Sequence, residues 1–200
     1  MRDLLEQWAR LTGWLRIHAP VTVAGINPPA EPSRVSAAED ATGQRWTPEL
    51  RVWFGLHNGS NQGHAFPQIM PGFRPVTLTE LECDWGSLVS IWADTTEEFE
   101  QMDDMRPKSQ PAGTTAFTYL PSYIPIAADN TRERLVVDTR PGPDTGCVVE
   151  FSGDGTDDGT SRWPSIAGML REAIDSLEGC KPCRGWVPYI EDGQLYWDFP

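Results

Sequence analysis

The stretch LRVWFGLHNGSN, residues 50–61, places His57 at the end of an apolar run, directly before Asn58-Gly59. An imidazole there is a base or metal ligand in one reading and the last turn of a helix in the other. Asn and Gly both tolerate the left-handed conformation that closes a helix, and a last-turn histidine meets the negative end of the dipole, so the structural reading is expected. His64 lies seven residues on and His18 is remote, short of the three or four closely spaced ligands that zinc takes. CKPC at 180–183 supplies two thiols, while Cys83 and Cys147 stand alone. A reactive pair sits at a helix N-terminus, where the dipole lowers the thiol pKa. This pair follows a predicted helix end, so a surface turn is expected.

The carboxylates fall into three groups. DTTEEFEQMDD, residues 94–104, holds Asp94, Glu97, Glu98, Glu100, Asp103 and Asp104 with no base among them. It reads as a solvated face or as a contact surface for a basic protein, with Phe99 as an aromatic anchor. DGTDDGT at 154–160 brings Asp154, Asp157 and Asp158 together, but a calcium loop starting at Asp154 needs Glu at its twelfth position and has Ser165. A polar turn is expected, and a secondary contact patch if the protein binds a basic partner. Asp129 and Asp138 flank NTRER; they are an acid–base pair or, as expected, caps at strand ends. No nucleophile elbow, phosphate loop or dinucleotide fingerprint is present. No metal and no cofactor is expected.

Two hundred residues suit a single domain, and a 39% hydrophobic chain with nine Trp can bury a sizeable core. The net charge of −13 repels phosphate backbones and favours basic partners, so nucleic acid is not an expected partner. Mean hydropathy is −0.42. No apolar run reaches bilayer-spanning length, and Asp3 and Glu6 stand where a signal peptide would be basic and then apolar. The expected location is the cytoplasm, without membrane attachment and with reduced cysteines.

The elements that must position these groups follow from spacing. Leu4, Trp8, Leu11 and Leu15 predict a helix over 3–18, and prolines and glycines over 20–32 a linker. SRVSAAEDATG predicts a helix capped by Ser33 and stopped by Gly43. Thr47, Pro48 and Glu49 open another, with Leu50, Trp53, Phe54 and His57 along one side. Residues 65–76 read as an edge or short strand because of their prolines. Thr77 and Glu80 form a capping box before the stripe Leu81, Trp85, Leu88 and Trp92. MRPKSQPAGTT reads as a loop. SYIPIAAD, RLVVDT and CVVEFSG read as strands, Pro125 marking an edge position or a strand start. Residues 163–177 read as a helix ended by Gly179, and 186–199 as a hairpin around Asp192-Gly193. Helices early and late, with strands clustered between them, give an α+β order.

The succession of these signals resembles the SUKH superfamily, the Smi/Knr-type cell-wall-assembly regulators and their bacterial relatives. The resemblance is carried by RWTPELRVWFGLHNGSN, PVTLTELECDWGSLVSIW, YIPIAADNTRERLVVDTRPGPDTGCVVEF and SIAGMLREAIDSL, over residues 26–179. Within them Pro48, Trp53, Asn58, Gly59, Pro125, Asp129, Asp138 and Gly146 match the family pattern; Asn130 and Thr131 stand where the family often has a glycine turn. The resemblance implies a mixed, largely antiparallel sheet flanked by helices. Residues 1–25 would form a helical extension and 180–200 a terminal hairpin of one domain. It also implies a non-catalytic module, similar to immunity proteins that neutralise a basic, often nuclease, toxin domain. A regulatory scaffold without a toxin partner and an enzyme using Asp129, Asp138 or His57 are the other classes considered.

Overall fold

The computed structural model describes residues 1–61, 67–153 and 162–199. Its helices are α1 (Arg2–His18), α2 (Pro20–Ala24), α3 (Pro32–Thr42), α4 (Pro48–Leu56), α5 (Leu78–Ile91), α6 (Ala93–Glu100) and α7 (Ile166–Gly179). Five strands form one sheet in chain order: β1 (Arg74–Pro75), β2 (Tyr123–Ala128), β3 (Arg134–Asp138), β4 (Val148–Phe151) and β5 (Arg162–Trp163). β6 (Val187–Glu191) and β7 (Gln194–Asp198) form a separate hairpin. The fold is α+β, and every strand pairing described is antiparallel.

Alternation along the strands splits the core in two. Ile124, Leu135, Val137 and Val148 point to one face and join Leu4, Leu11 and Leu15 of α1, Trp53 of α4 and the apolar stripe of α7. Tyr123, Val136, Val149 and Phe151 point to the other, against Ala116, Tyr119 and Leu120, with Trp85, Leu88, Val89 and Trp92 packed over them. The sheet is therefore covered by helices on both faces. The larger cluster runs from Leu4 to Leu195 and Trp197, so both chain ends pack into it.

Several local expectations shift for physical reasons. Pro20 starts α2 instead of a linker, since proline fits a first helical position. Pro32 does the same for α3, so Glu31 rather than Ser33 is the N-cap, and no side-chain bond is made there. Pro125 is not on an edge strand: β2 lies between β1 and β3. The ring is tolerated because β1 covers only Ala127 and Ala128, and a bulge lies between Pro125 and Ala127. Gly179 remains helical, and Cys180 takes the left-handed position at φ 48°. Trp163 belongs to β5, and Ser165 caps α7 by accepting from the Gly168 N–H. The capping box of α5, the Thr47 cap of α4 and the hairpin turn at Asp192-Gly193 are as expected.

One buried ion pair ties the segment before β2 to the end of β3. Asp138 is fully buried and Arg140 nearly so, with Arg140 Nη2 2.7 Å from Asp138 Oδ2. The same guanidinium donates to the carbonyls of Pro107 at 2.8 Å and Thr114 at 2.6 Å, and lies over the Tyr123 ring at 5.5 Å. Asp138 also accepts from the Gly113 N–H at 2.8 Å. Arg140→Met strands the carboxylate and costs about 3–5 kcal/mol, read as a lowered urea midpoint, with amides of residues 107–118 exchanging earliest. Asp138→Asn keeps an acceptor and costs less.

Candidate functional site

His57 is not a last-turn, dipole-stabilised cation. It is the extended residue after α4, at φ −162°, and is fully buried. Its ring lies 4.7 Å from Trp8 and 4.2 Å from Trp53, centroid to centroid. Nδ1 accepts the Gly59 N–H at 2.9 Å, and Nε2 has no partner among the described residues. Burial pushes its pKa down to about 3. A neutral imidazole between two indoles is a packing element, and no second titratable group among the described residues forms a dyad with it.

Asn58-Gly59 does not close α4 by a left-handed pair. Gly59 alone has positive φ, at 69°, while the Phe54 carbonyl accepts from Ala30 N–H. Asn58 instead reaches forward: its Oδ1 accepts the Leu78 N–H at 2.9 Å, adding to the capping box of α5. A Cβ on Gly59 would stand 2.4 Å from Thr77 N and Val76 C, so only glycine permits this crossing. The motif is a junction joining α4, the 25–28 segment and the start of α5.

The other predicted groups are dispersed. Asp129 and Asp138 lie at opposite ends of the β2–β3 pair and form no acid–base couple. Asp129 caps its turn, accepting from Thr131 and Glu133 N–H groups at 2.8 and 3.0 Å. Gly146 holds φ 94° beside Thr47, and Pro48 and Trp53 serve α4 and the core. Cys183 is buried, contrary to the surface-turn expectation for the pair, and burial together with the Glu172 carboxylate pushes its thiol up to about 12. Cys180 is exposed. His64, Asp154, Asp157 and Asp158 lie outside the described residues. Among the described residues no group of three or more His, Cys, Asp or Glu is placed to hold a metal.

A cleft of about 190 Å³ opens between the 70–73 turn and the β2–β3 hairpin end, with Asp129, Glu133, Glu150, Trp163, Arg184 and Trp186 on its walls. Glu150 is the signal sequence reading passed over, because alternation puts it on the same side as Val148. The polar groups here are engaged locally. Glu133 accepts from Ser152, and Arg184 is bonded to Glu172 and stacked 4.0 Å from the Trp163 ring. Such a cleft holds its own walls together.

The acidic run is arranged differently. α6 sits outside the second core cluster, anchored by Thr96, whose hydroxyl meets Thr118 Oγ1 at 2.6 Å. Asp94, Glu97, Glu98, Asp103 and Asp104 are exposed, while Glu100 and the expected anchor Phe99 are half-buried. The following loop returns two cations to the run. Arg106 pairs with Asp103 at 2.5 Å, Lys108 Nζ lies 3.7 Å from Glu97, and the Lys108 N–H donates to Glu100 at 2.6 Å. Asp94, Glu98 and Asp104 have no ion pair among the described residues. Ile91 at the end of α5, Met102 after α6 and Phe117 before β2 are exposed apolar side chains. Sequence reading missed Phe117, since an aromatic between Ala116 and Thr118 gives no sign of pointing outward.

No protein-family model matches the chain, and no curated protein matches it. No helix among the described residues is long and apolar enough to cross a membrane.

Two measurements check the buried groups. The folded His57 pKa lies below its unfolded value of about 6.5, so the unfolded chain takes the proton first. Its contribution to stability is complete above pH 6.5 and declines by about 1.4 kcal/mol per pH unit as pH falls toward 3, so that about 2 kcal/mol has been lost at pH 5. Denaturant titrations of the protein and of His57→Phe at pH 7, 6 and 5 should diverge by this slope. Iodoacetamide at pH 8 should label exposed Cys83 and Cys180 and spare buried Cys147 and Cys183 until denaturant is added.

Proposed function

We propose that the protein is a non-catalytic binding module that docks a basic protein on the face formed by α6 and the loop after it. The observation that carries this reading is the exposure of Asp94, Glu98 and Asp104, without ion pairs among the described residues, on α6 and the turn after it, a helix that Thr96 fastens to Thr118 of the segment before β2. Carboxylates left without counter-charges steer a cationic partner and raise its association rate. The dispersal of His57, Asp129 and Asp138 favours this reading over catalysis.

The resemblance to the SUKH superfamily makes the partner specific. We assign the module an immunity role in the cytoplasm, neutralising a toxin domain by covering a groove that is electropositive because it binds phosphates. Arg106 and Lys108 temper the acidic run, so contact relies on the three unpaired carboxylates more than on the whole segment.

The test uses the partner that co-purifies with the chain from its native cells, followed by stopped-flow association with the purified pair. Asp94→Lys, Glu98→Lys and Asp104→Lys combined should slow association at least tenfold at low salt and flatten its salt dependence. The melting temperature should stay within about 3 °C, since the changes are exposed. Unchanged kinetics would remove this face from the interface.

A further inference from the structure

β6 and β7 form a two-stranded sheet whose two edges differ. On the β7 side, the Leu195 N–H donates to Thr22 Oγ1 of α2 at 2.8 Å, and the Val21 N–H donates to the Gly193 carbonyl at 2.9 Å. That edge is closed by the chain itself. On the β6 side, Trp186 is closed too, exchanging both backbone bonds with Cys183 at 2.8 and 2.9 Å. From Pro188 to Asp192 the outward backbone groups receive no hydrogen bond from the described residues. Val187, Tyr189 and Ile190 of this strand are exposed apolar side chains. An open strand edge is a template for another strand.

The hairpin register decides what this edge offers. Asp192 and Gly193 have φ 49° and 75°, a tight turn across which Glu191 and Gln194 exchange backbone bonds. Pairs alternate from there, so Ile190 with Leu195 and Pro188 with Trp197 are the pairs without mutual bonds, and their backbone groups face outward. The bond from Leu195 to Thr22 has the direction this alternation requires. The Asp192 N–H also faces outward, because a trans peptide sets it opposite the Glu191 carbonyl, which points inward. Along the strand the edge therefore presents the Pro188 carbonyl, the Ile190 N–H, the Ile190 carbonyl and the Asp192 N–H. Acceptor, donor, acceptor, donor is its own complement when the strand is reversed. The N–H that Pro188 lacks falls opposite the turn in that register, so its loss costs little there and penalises shifted pairings.

We propose that β6 pairs with β6 of a second copy of this chain, antiparallel about a two-fold axis at Ile190, joining two hairpins into one four-stranded sheet. Ile190, 41% exposed, then meets its own counterpart on the axis. Charge is complementary along the same strip. Glu191 and Asp192, at the turn end of β6, are exposed and have no ion pair among the described residues, and the same holds for Lys181. Lys181 follows Cys180, which lines a small hollow with Val187 and Pro188 at the other end of the strand. Reversing one strand sets Asp192 opposite Pro188 of the second copy, so the acidic end meets the Lys181 end, and the two-fold axis repeats that contact. Asp198 lies a strand further back, on β7. The net charge of −13 is spread over the whole chain and is screened beyond about 8 Å at physiological salt. The strip is short, so a weak, micromolar pair is expected. This proposal is independent of the α6 face.

The test is sedimentation equilibrium of the full chain from about 1 to 500 µM, the range in which a contact of this size associates. Expected is a rise from 22.3 kDa toward twice that mass. Ile190→Lys places two cations on the axis and should weaken association at least tenfold. Its stem keeps most of the packing, so the melting temperature should stay within about 5 °C. A crosslink reads the register and does not depend on that variant folding. With the exposed thiols removed by Cys83→Ser and Cys180→Ser, Ile190→Cys should form a disulfide-linked pair under mild oxidant. Residues opposed in a bonded antiparallel pair have Cα atoms about 5.5 Å apart, within disulfide reach. Val187→Cys should not crosslink, since its counterpart would lie about 20 Å away along the strands. A chain that stays at 22.3 kDa throughout overturns the proposal. So does a dimer that Ile190→Lys leaves intact, or one in which Ile190→Cys fails to crosslink or Val187→Cys crosslinks as readily, because the contact then lies elsewhere or in another register.

Discussion

The arrangement of the outer surface depends on a guanidinium and a carboxylate buried together, Arg140 and Asp138. Removing both from water is expensive, and their mutual attraction alone does not ensure a net gain. What justifies the pair is the number of backbone groups it satisfies at once. Arg140 takes the carbonyls of Pro107 and Thr114, and Asp138 takes the Gly113 N–H. A proline-containing loop with few backbone bonds of its own is thereby fastened to the sheet. The positions of Lys108, Arg106 and Phe117 follow from that fastening, since all three lie on or next to the loop.

A second junction does the same for the opposite half. Asn58 and Gly59 connect the end of α4 to the start of α5, and His57 fills the space beneath between Trp8 and Trp53. Glu49 links a third pair of elements, accepting the N–H groups of Ile166 and Ala167 and so capping α7 from α4. Local polar side chains are thus spent on the orphan donors of neighbouring helices. The result is a sheet with both faces closed, with the starts of α5 and α7 bonded by side chains from elsewhere in the chain.

Against that background the acidic residues separate by environment. Asp129, Glu133 and Glu49 serve turns, strand ends and caps, and their charges are committed to the fold. Asp103 and Glu97 are balanced by cations from the same loop. Asp94, Glu98 and Asp104 face solvent on α6 and the turn after it. A net charge read from composition treats all of these alike. Within this run Asp94, Glu98 and Asp104 present the stronger field to a partner at short range, because the field of a paired carboxylate is largely cancelled within a Debye length.

Much of the fold was legible beforehand because its signals are local. A capping box, a threonine before proline, an apolar period of 3.6 and an Asp-Gly turn each act within a few residues, so α4, α5, α7 and the terminal hairpin follow from sequence. Pro125 was misplaced because the length of the neighbouring strand, which decides whether an edge exists, is not written in β2. His57 and Asn58-Gly59 read as a helix end because their true partners, Trp8, Pro28 and Leu78, are distant in the chain. Sequence by itself determined the element types, the acidity and the scarcity of clustered ligands. Tertiary structure decided which charges stay unpaired and that Phe117 points outward, because both depend on the long-range packing that buries Asp138 with Arg140 and seats Thr118 against α6.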